Sequence, residues 1–284
     1  MSFLFDLFGT EKPIIGLIHM RALPGDPFYH GEGMDSVIAQ AKADLDALQR
    51  CAVRRADEQD ALQDGGVDGV LFTNEFSMPY EKEVSPITLA AMGMVIGALR
   101  EHIRVPFGAE AIFDGDASIT LCAATEAAFT RCMFTGVWAG DFGLVDRDIA
   151  KTLRLKNAYR LDDLKLFYFI TSEGDACVGE RTTEDMAKSL LFNCRPDAMV
   201  VGGIAAGCGP ETELLERVGT VVGDTPVICG TGCKLENIEK ILSCCQGAFV
   251  GSTFKKDGKF DNPIDVARVK EFMDVVKKWR GKCK

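Results

Sequence analysis

Eight short runs of apolar, largely β-branched residues punctuate this chain, and most are followed by a longer stretch whose apolar positions recur at helical spacing. The runs fall at 14–19, 67–73, 105–112, 128–134, 164–170, 198–202, 226–229 and 247–251. Their starts lie on average about 33 residues apart, close to the length of one βαβ unit. Strands without polar alternation belong to a parallel sheet buried on both faces. Eight such units in succession predict an α/β fold, a parallel (β/α)8 TIM barrel. A doubly wound open sheet is the competing architecture, and it requires one or two of the runs to be misread.

Between the runs, residues 34–64 carry a long helical pattern with an internal repeat. Asp46-Ala47-Leu48-Gln49 returns as Asp60-Ala61-Leu62-Gln63 at an offset of 14 residues, about four helical turns, so both copies face nearly the same way. Residues 20–33 hold Pro24, Gly25, Pro27, Gly31 and Gly33, and the expectation is a long loop over the barrel mouth. No stretch of linker composition divides the chain. The expected organisation is one barrel domain over 1–284, with 1–12 as an N-terminal extension.

At 284 residues the chain is long enough to bury about 70–75% of its extended surface, so a core needs no staples. The formal charge of −10 repels a phosphate backbone, and no Lys/Arg stripe appears beyond short pairs such as Lys255-Lys256 and Lys277-Lys278. Nucleic acid is therefore excluded as an expected partner. A small anion is not excluded, because local backbone dipoles can outweigh the global field. The apolar start at Met1–Phe8 is too short and too acidic for a signal peptide, and no apolar run reaches membrane-spanning length. Several of the eleven cysteines lie within apolar predicted elements, which favours reduced thiols in a cytoplasm-like compartment; an organelle stroma is the alternative. A homo-oligomer stays open.

Chemistry in such barrels sits at the C-terminal ends of the strands, with phosphate sites after the seventh and eighth. The seventh run ends in Cys229-Gly230-Thr231-Gly232-Cys233 and leads into a helix at Lys234-Leu235-Glu236-Asn237; the eighth ends in Val250-Gly251-Ser252-Thr253. Glycine lets the backbone come close to phosphate oxygens, so the amides of Gly232, Gly251 and Ser252 are the expected anion ligands. Gly230, Thr231 and Gly203 join them as neighbouring phosphate-site candidates. The bland alternative is a pair of ordinary strand-to-helix turns. His19 closes the first run and is a candidate general acid or base, or a satisfied structural histidine. The second run ends in Thr73-Asn74-Glu75-Phe76 and the third holds Glu110, followed by Asp114 and Asp116. Carboxylates at such positions suit bases or a hard cation, which leaves Mg²⁺ open as a cofactor. Asp114 and Asp116 fit a loop or a helix cap better. Arg131 suits either anion binding or an internal ion pair with Glu110. Cys229 and Cys233, spaced CxxxC without a nearby histidine, match no zinc ribbon or redox pair. No metal site is expected from them.

Taken together, several stretches resemble the BtpA family. They are Pro13 through Met20 with Leu23-Pro24-Gly25, then Gly65-Gly66-Val67-Asp68-Gly69 leading to Asn74, and Phe134-Thr135-Gly136. The most specific run is the last, Gly247 to Ser252 with Lys255-Lys256-Asp257-Gly258-Lys259 and Asn262-Pro263-Ile264-Asp265. The resemblance spans nearly the whole chain and implies a ribulose-phosphate-binding type of barrel that takes a phosphorylated small molecule. It also implies one of two functions. The first is an enzyme acting on a phosphorylated sugar by isomerisation, aldol cleavage or transfer, with His19, Glu110, Arg131 and Asn74 as catalytic candidates. The second is a non-catalytic factor of the photosystem I biogenesis kind or a metabolite sensor. The chain departs from the family pattern in the fifth run's end, Phe169-Ile170-Thr171-Ser172-Glu173-Gly174, where a polar Asp-x-His-x-Lys-His series is usual. It also carries Glu110 for the usual Asn, Phe113 for an Arg, and Gly202-Gly203-Ile204 for Thr-Gly-Pro. The phosphate half reads as retained and the chemical half as altered.

Overall fold

The computed structural model describes residues 2–49, 66–203 and 209–282. Its strands are β1 (Ile14–His19), β2 (Gly69–Thr73), β3 (Phe107–Glu110), β4 (Phe129–Cys132), β5 (Val137–Gly140), β6 (Gly143–Asp146), β7 (Lys165–Phe169), β8 (Asp175–Cys177), β9 (Ala198–Val201), β10 (Val227–Cys229) and β11 (Ala248–Val250). The helices are α1 (Phe3–Phe8), α2 (Met34–Gln49), α3 (Pro86–Leu99), α4 (Gly115–Thr125), α5 (Ile149–Ala158), α6 (Thr183–Asn193), α7 (Thr212–Val222), α8 (Ile238–Cys244) and α9 (Val266–Lys282). Eight strands close a barrel in the order β1-β11-β10-β9-β7-β4-β3-β2. All eight neighbour pairs are parallel. Each of the eight apolar runs supplies one of these strands, and β1 is buried at all six positions because helices cover one face and the barrel interior the other.

Two features were not written plainly in the hydrophobic pattern. The N-terminal extension contains α1, which plugs the bottom of the barrel: Leu4 is fully buried, Phe8 packs edge-on against Phe129, and Phe3 against Phe167. Near the opposite end, β5, β6 and β8 form a separate antiparallel sheet, inserted after β4 and after β7. Its hairpin tip carries Phe142, which stacks with Tyr80 and Phe113 at centroid distances of 5.7 and 5.0 Å. Helix α2 ends at Gln49, so the second copy of the 14-residue repeat lies outside the described residues. The loop at 20–33 is pinned by Asp26, whose carboxylate accepts from the Leu23 amide and the Ser77 hydroxyl, both at 2.6 Å. No helix among the described residues is long and apolar enough to cross a membrane.

Candidate active site at the barrel mouth

The two glycine-rich turns meet. β10 and β11 pair with Cys229 opposite Ala248, so the loops that follow them leave the barrel side by side. The Thr253 hydroxyl donates to the Cys233 carbonyl and ties them together. Asn237 braces the first loop, accepting from the Lys234 amide at 2.7 Å and donating to the Gly232 carbonyl at 3.0 Å. Gly232 adopts φ +70°, a backbone conformation that a Cβ disfavours. Gly251 needs its missing side chain for space: a Cβ there would stand 2.8 Å from His19 Nε2. Among the described residues, the amides of Gly232, Gly251 and Ser252 donate to no protein acceptor. The other three phosphate-site candidates have different work. The Gly230 amide donates to the Val201 carbonyl, and the Gly203 amide to the Thr231 hydroxyl. The Glu173 carboxyl lies beside that hydroxyl. The Gly230 and Gly203 amides and the Thr231 hydroxyl are therefore already engaged at the wall of the site. Ile204 lies outside the described residues.

His19 ends β1 at 5% exposure, and neither of its ring nitrogens has a hydrogen-bond partner. Its ring rests on Phe260 at 5.4 Å and its Nε2 lies 3.9 Å from Glu75 Oε1. Burial, with the cations Lys255, Arg131 and Arg21 nearby, holds its pKa well below the usual imidazole value, so the neutral form prevails. Arg131 forms the internal pair with Glu110, Nε to Oε2 at 2.8 Å, and its Nη2 faces Glu75 Oε1 at 3.8 Å. The guanidinium lies over Phe249 at 4.5 Å and its Nη1 reaches the Gly230 carbonyl at 3.4 Å. Burial outweighs this partner for Glu110, whose pKa is pushed up to about 7. Asn74 is buried, and its side-chain oxygen accepts from the Ile112 amide at 2.8 Å, which fixes the β2 loop against the β3 loop. Asp114 caps α4 through the Ala117 amide, and Asp116 binds Thr152 and Lys151. The described residues hold no group of three or more His, Cys, Asp or Glu side chains placed to bind a metal ion. Cys229 and Cys233 come within 3.5 Å of each other, Sγ to Sγ, and Cys229 donates to the Thr231 carbonyl inside the turn.

Three further residues carry the site's charge: Glu75, noted at a strand end but given no role, and Lys255 and Glu173, which the strand pattern did not single out. Glu75 receives the Tyr80 hydroxyl at 3.0 Å and faces both His19 and Arg131. Lys255 is almost fully buried, sits over the rings of Phe76 and Phe260, and donates to the Phe260 carbonyl. Desolvation lowers its pKa to about 8. Glu173 follows β7 and places a carboxylate within the altered end of the fifth run. Its Oε1 is buried without a partner and its pKa is raised by burial. The signal was present as an acidic residue a few positions beyond a buried apolar strand.

The sequence model of the BtpA family matches residues 10–278. The sgc region protein SgcQ of Escherichia coli K12 is 43% identical over 277 residues, covering 97% of this chain and 98% of that protein. The photosystem I biogenesis protein BtpA of Synechocystis is 27% identical, covering 96% of this chain and 91% of that protein. Among solved structures, wild-type GGGPS from Thermoplasma volcanium superposes with a TM-score of 0.57 at 13% identity, covering 98% of both chains. That likeness concerns the fold.

Proposed function

The chain belongs to the BtpA family, and from that premise we propose that it is an enzyme acting on a phosphorylated small metabolite of the sugar-phosphate kind. The observation that carries this reading is the contact between the two halves of the site. The loop that presents free amides at Gly251 and Ser252 abuts a buried, neutral histidine whose two ring nitrogens are unpartnered. Unsatisfied buried polar atoms cost about 1–3 kcal/mol each, so their retention beside an anion site fits a ligand that completes them. A polyhydroxylated ligand offers both donors and acceptors to His19 and Glu173. Three or four amide bonds to a phosphate, each contributing about 1.5–3 kcal/mol, are enough for micromolar-range binding after the cost of association.

The non-catalytic alternative leans on the altered end of the fifth strand, and the partly buried carboxyl of Glu173 within that stretch favours the enzyme instead. The test begins with thermal denaturation against inorganic phosphate and a panel of sugar phosphates. A ligand at 100 times its Kd adds about 2.7 kcal/mol, or about 5–10 °C for a chain of this size. Ligands that bind are then followed by NMR with wild type and His19→Ala. Turnover by wild type that is lost in the variant supports an enzyme, whereas a bound ligand left unchanged for hours refutes it.

A further inference from the structure

We propose that the barrel mouth moves protons on two opposite faces of one carbon, inverting a stereocentre that lies next to a carbonyl in the phosphorylated substrate. This rests on the phosphate reading above and adds to it the reaction class and the groups that carry it.

The argument starts from placement. In the closed order, β7 stands four strands from β1 in either direction, so their C-terminal ends lie on opposite sides of the ring. His19 ends β1 and presses on Gly251 of the β11 loop. Glu173 follows β7 and lies beside Thr231 of the β10 loop. A ligand anchored by those two loops therefore has the imidazole on one flank and the carboxyl on the other. The imidazole and the carboxyl thus come from opposite walls of the barrel, each lying against one of the two adjacent loops where the anion is placed.

The remaining charged groups of the mouth are engaged. Glu110 accepts from Arg131, Glu75 accepts from Tyr80, and Lys255 donates to Phe260. Of the site's ionisable side chains, His19 and Glu173 are the ones with buried polar atoms left unpartnered. Their environments also push them into complementary states, the imidazole neutral and the carboxyl protonated more readily than in water.

The step balances without an oxidant or reductant. His19 takes the proton from the carbon, the C–H electron pair becomes the new C=C bond, and the carbonyl oxygen takes the negative charge of an enediolate. Glu173 delivers its proton to the other face, the carbonyl re-forms, and the centre emerges inverted. His19 is left protonated facing Glu75 at 3.9 Å, Glu173 is left as a carboxylate, and exchange with solvent resets both. The substrate class is a phosphate ester with a C–H centre, bearing a hydroxyl, alpha to a ketone or aldehyde.

The experiment takes each phosphorylated aldose or ketose that raises the wild-type melting midpoint and incubates it with the protein in D2O under proton NMR. The expected result is an epimer carrying deuterium at the inverted carbon, while unreacted substrate at low conversion keeps its proton. His19→Asn and Glu173→Gln should each slow this by 100-fold or more, a loss typical of a missing acid or base, and still show the ligand-induced shift. Exchange without inversion, a bound ligand panel with no turnover, or either folded variant running at the wild-type rate overturns the proposal. Should a variant fail to fold, the wild-type isotope pattern decides alone. A panel in which nothing shifts the midpoint defeats the phosphate reading itself, and does so before D2O is added.

Discussion

Replacing Gly251 by alanine tests the junction of the anion loop with the histidine. The new Cβ would lie 2.8 Å from His19 Nε2, 3.0 Å from His19 Cε1 and 3.3 Å from Leu17 Cδ1, where ordinary contact begins near 3.4 Å. The imidazole has little freedom to retreat, since Phe260 lies against it at 5.4 Å and the side chain is buried. Overpacking of a buried site costs about 1–3 kcal/mol, and a chain of this size loses about 2–4 °C for each. The variant should therefore fold and melt about 2–12 °C lower. Because the methyl occupies the space between loop and ring, stabilisation by a phosphorylated ligand should vanish. Differential scanning fluorimetry with and without ligand reads both numbers, and circular dichroism confirms the fold. A variant that melts with wild type and keeps the full ligand-induced shift would refute the geometry of the site.

Other substitutions probe the charges beneath. Arg131→Met strands Glu110 in the core and should cost about 3–5 kcal/mol in urea denaturation, while the double variant Arg131→Met, Glu110→Leu should recover most of that loss; equal stabilities for the single and double variants would show that the pair is not desolvated. The raised pKa of Glu110 has a direction in pH: its contribution is fully present below about 4.5 and is lost as pH rises through about 7, amounting to about 3 kcal/mol. Melting midpoints of wild type relative to Glu110→Gln should accordingly fall between pH 5 and 8, and parallel curves would contradict this. His19 acts in the opposite sense and only below its ordinary value of 6.5, where protonating the buried ring destabilises the fold. Leu4→Ala should cost about 2–5 kcal/mol because α1 is the bottom plug of the barrel, and a change under 0.5 kcal/mol would mean that the helix is not docked.

The barrel was legible because parallel strands covered on both faces must be apolar at nearly every position, as β1 and β2 are. The inserted sheet was not. β5, β6 and β8 are three or four residues long and largely exposed, so neither a continuous run nor clean alternation marks them. β8 also reaches β5 from the far side of α5 and β7, a pairing that no local pattern encodes. The short α1 escaped notice for a related reason. Six residues give too little periodicity to separate a helix from an apolar tail, and it is the open barrel bottom that makes burial of Leu4 and Phe8 favourable.

The site was half legible, and the division follows backbone against side chain. Turns that need glycine write themselves into sequence, so the loops at Gly232 and Gly251 could be placed in advance. Which amides stay available depends on neighbours remote in the chain: Thr231 claims Gly203, and Val201 claims Gly230. The acidic residues show the same dependence. Glu75, Glu110 and Glu173 all follow or end barrel strands, yet their roles separate only once Arg131, Tyr80 and Thr231 are in place. Glu110 sits beside a guanidinium that offsets part of its burial, while one Glu173 oxygen is buried without a partner among the described residues. A carboxyl with a buried, unsatisfied oxygen beside an anion loop costs the fold stability, and the amide of glutamine removes the charge that is costly to bury. Glu173→Gln should therefore leave the melting midpoint unchanged or raised. If instead it lowers the midpoint by several degrees, the carboxylate is a structural anchor for Thr231 and its place in proton transfer is lost.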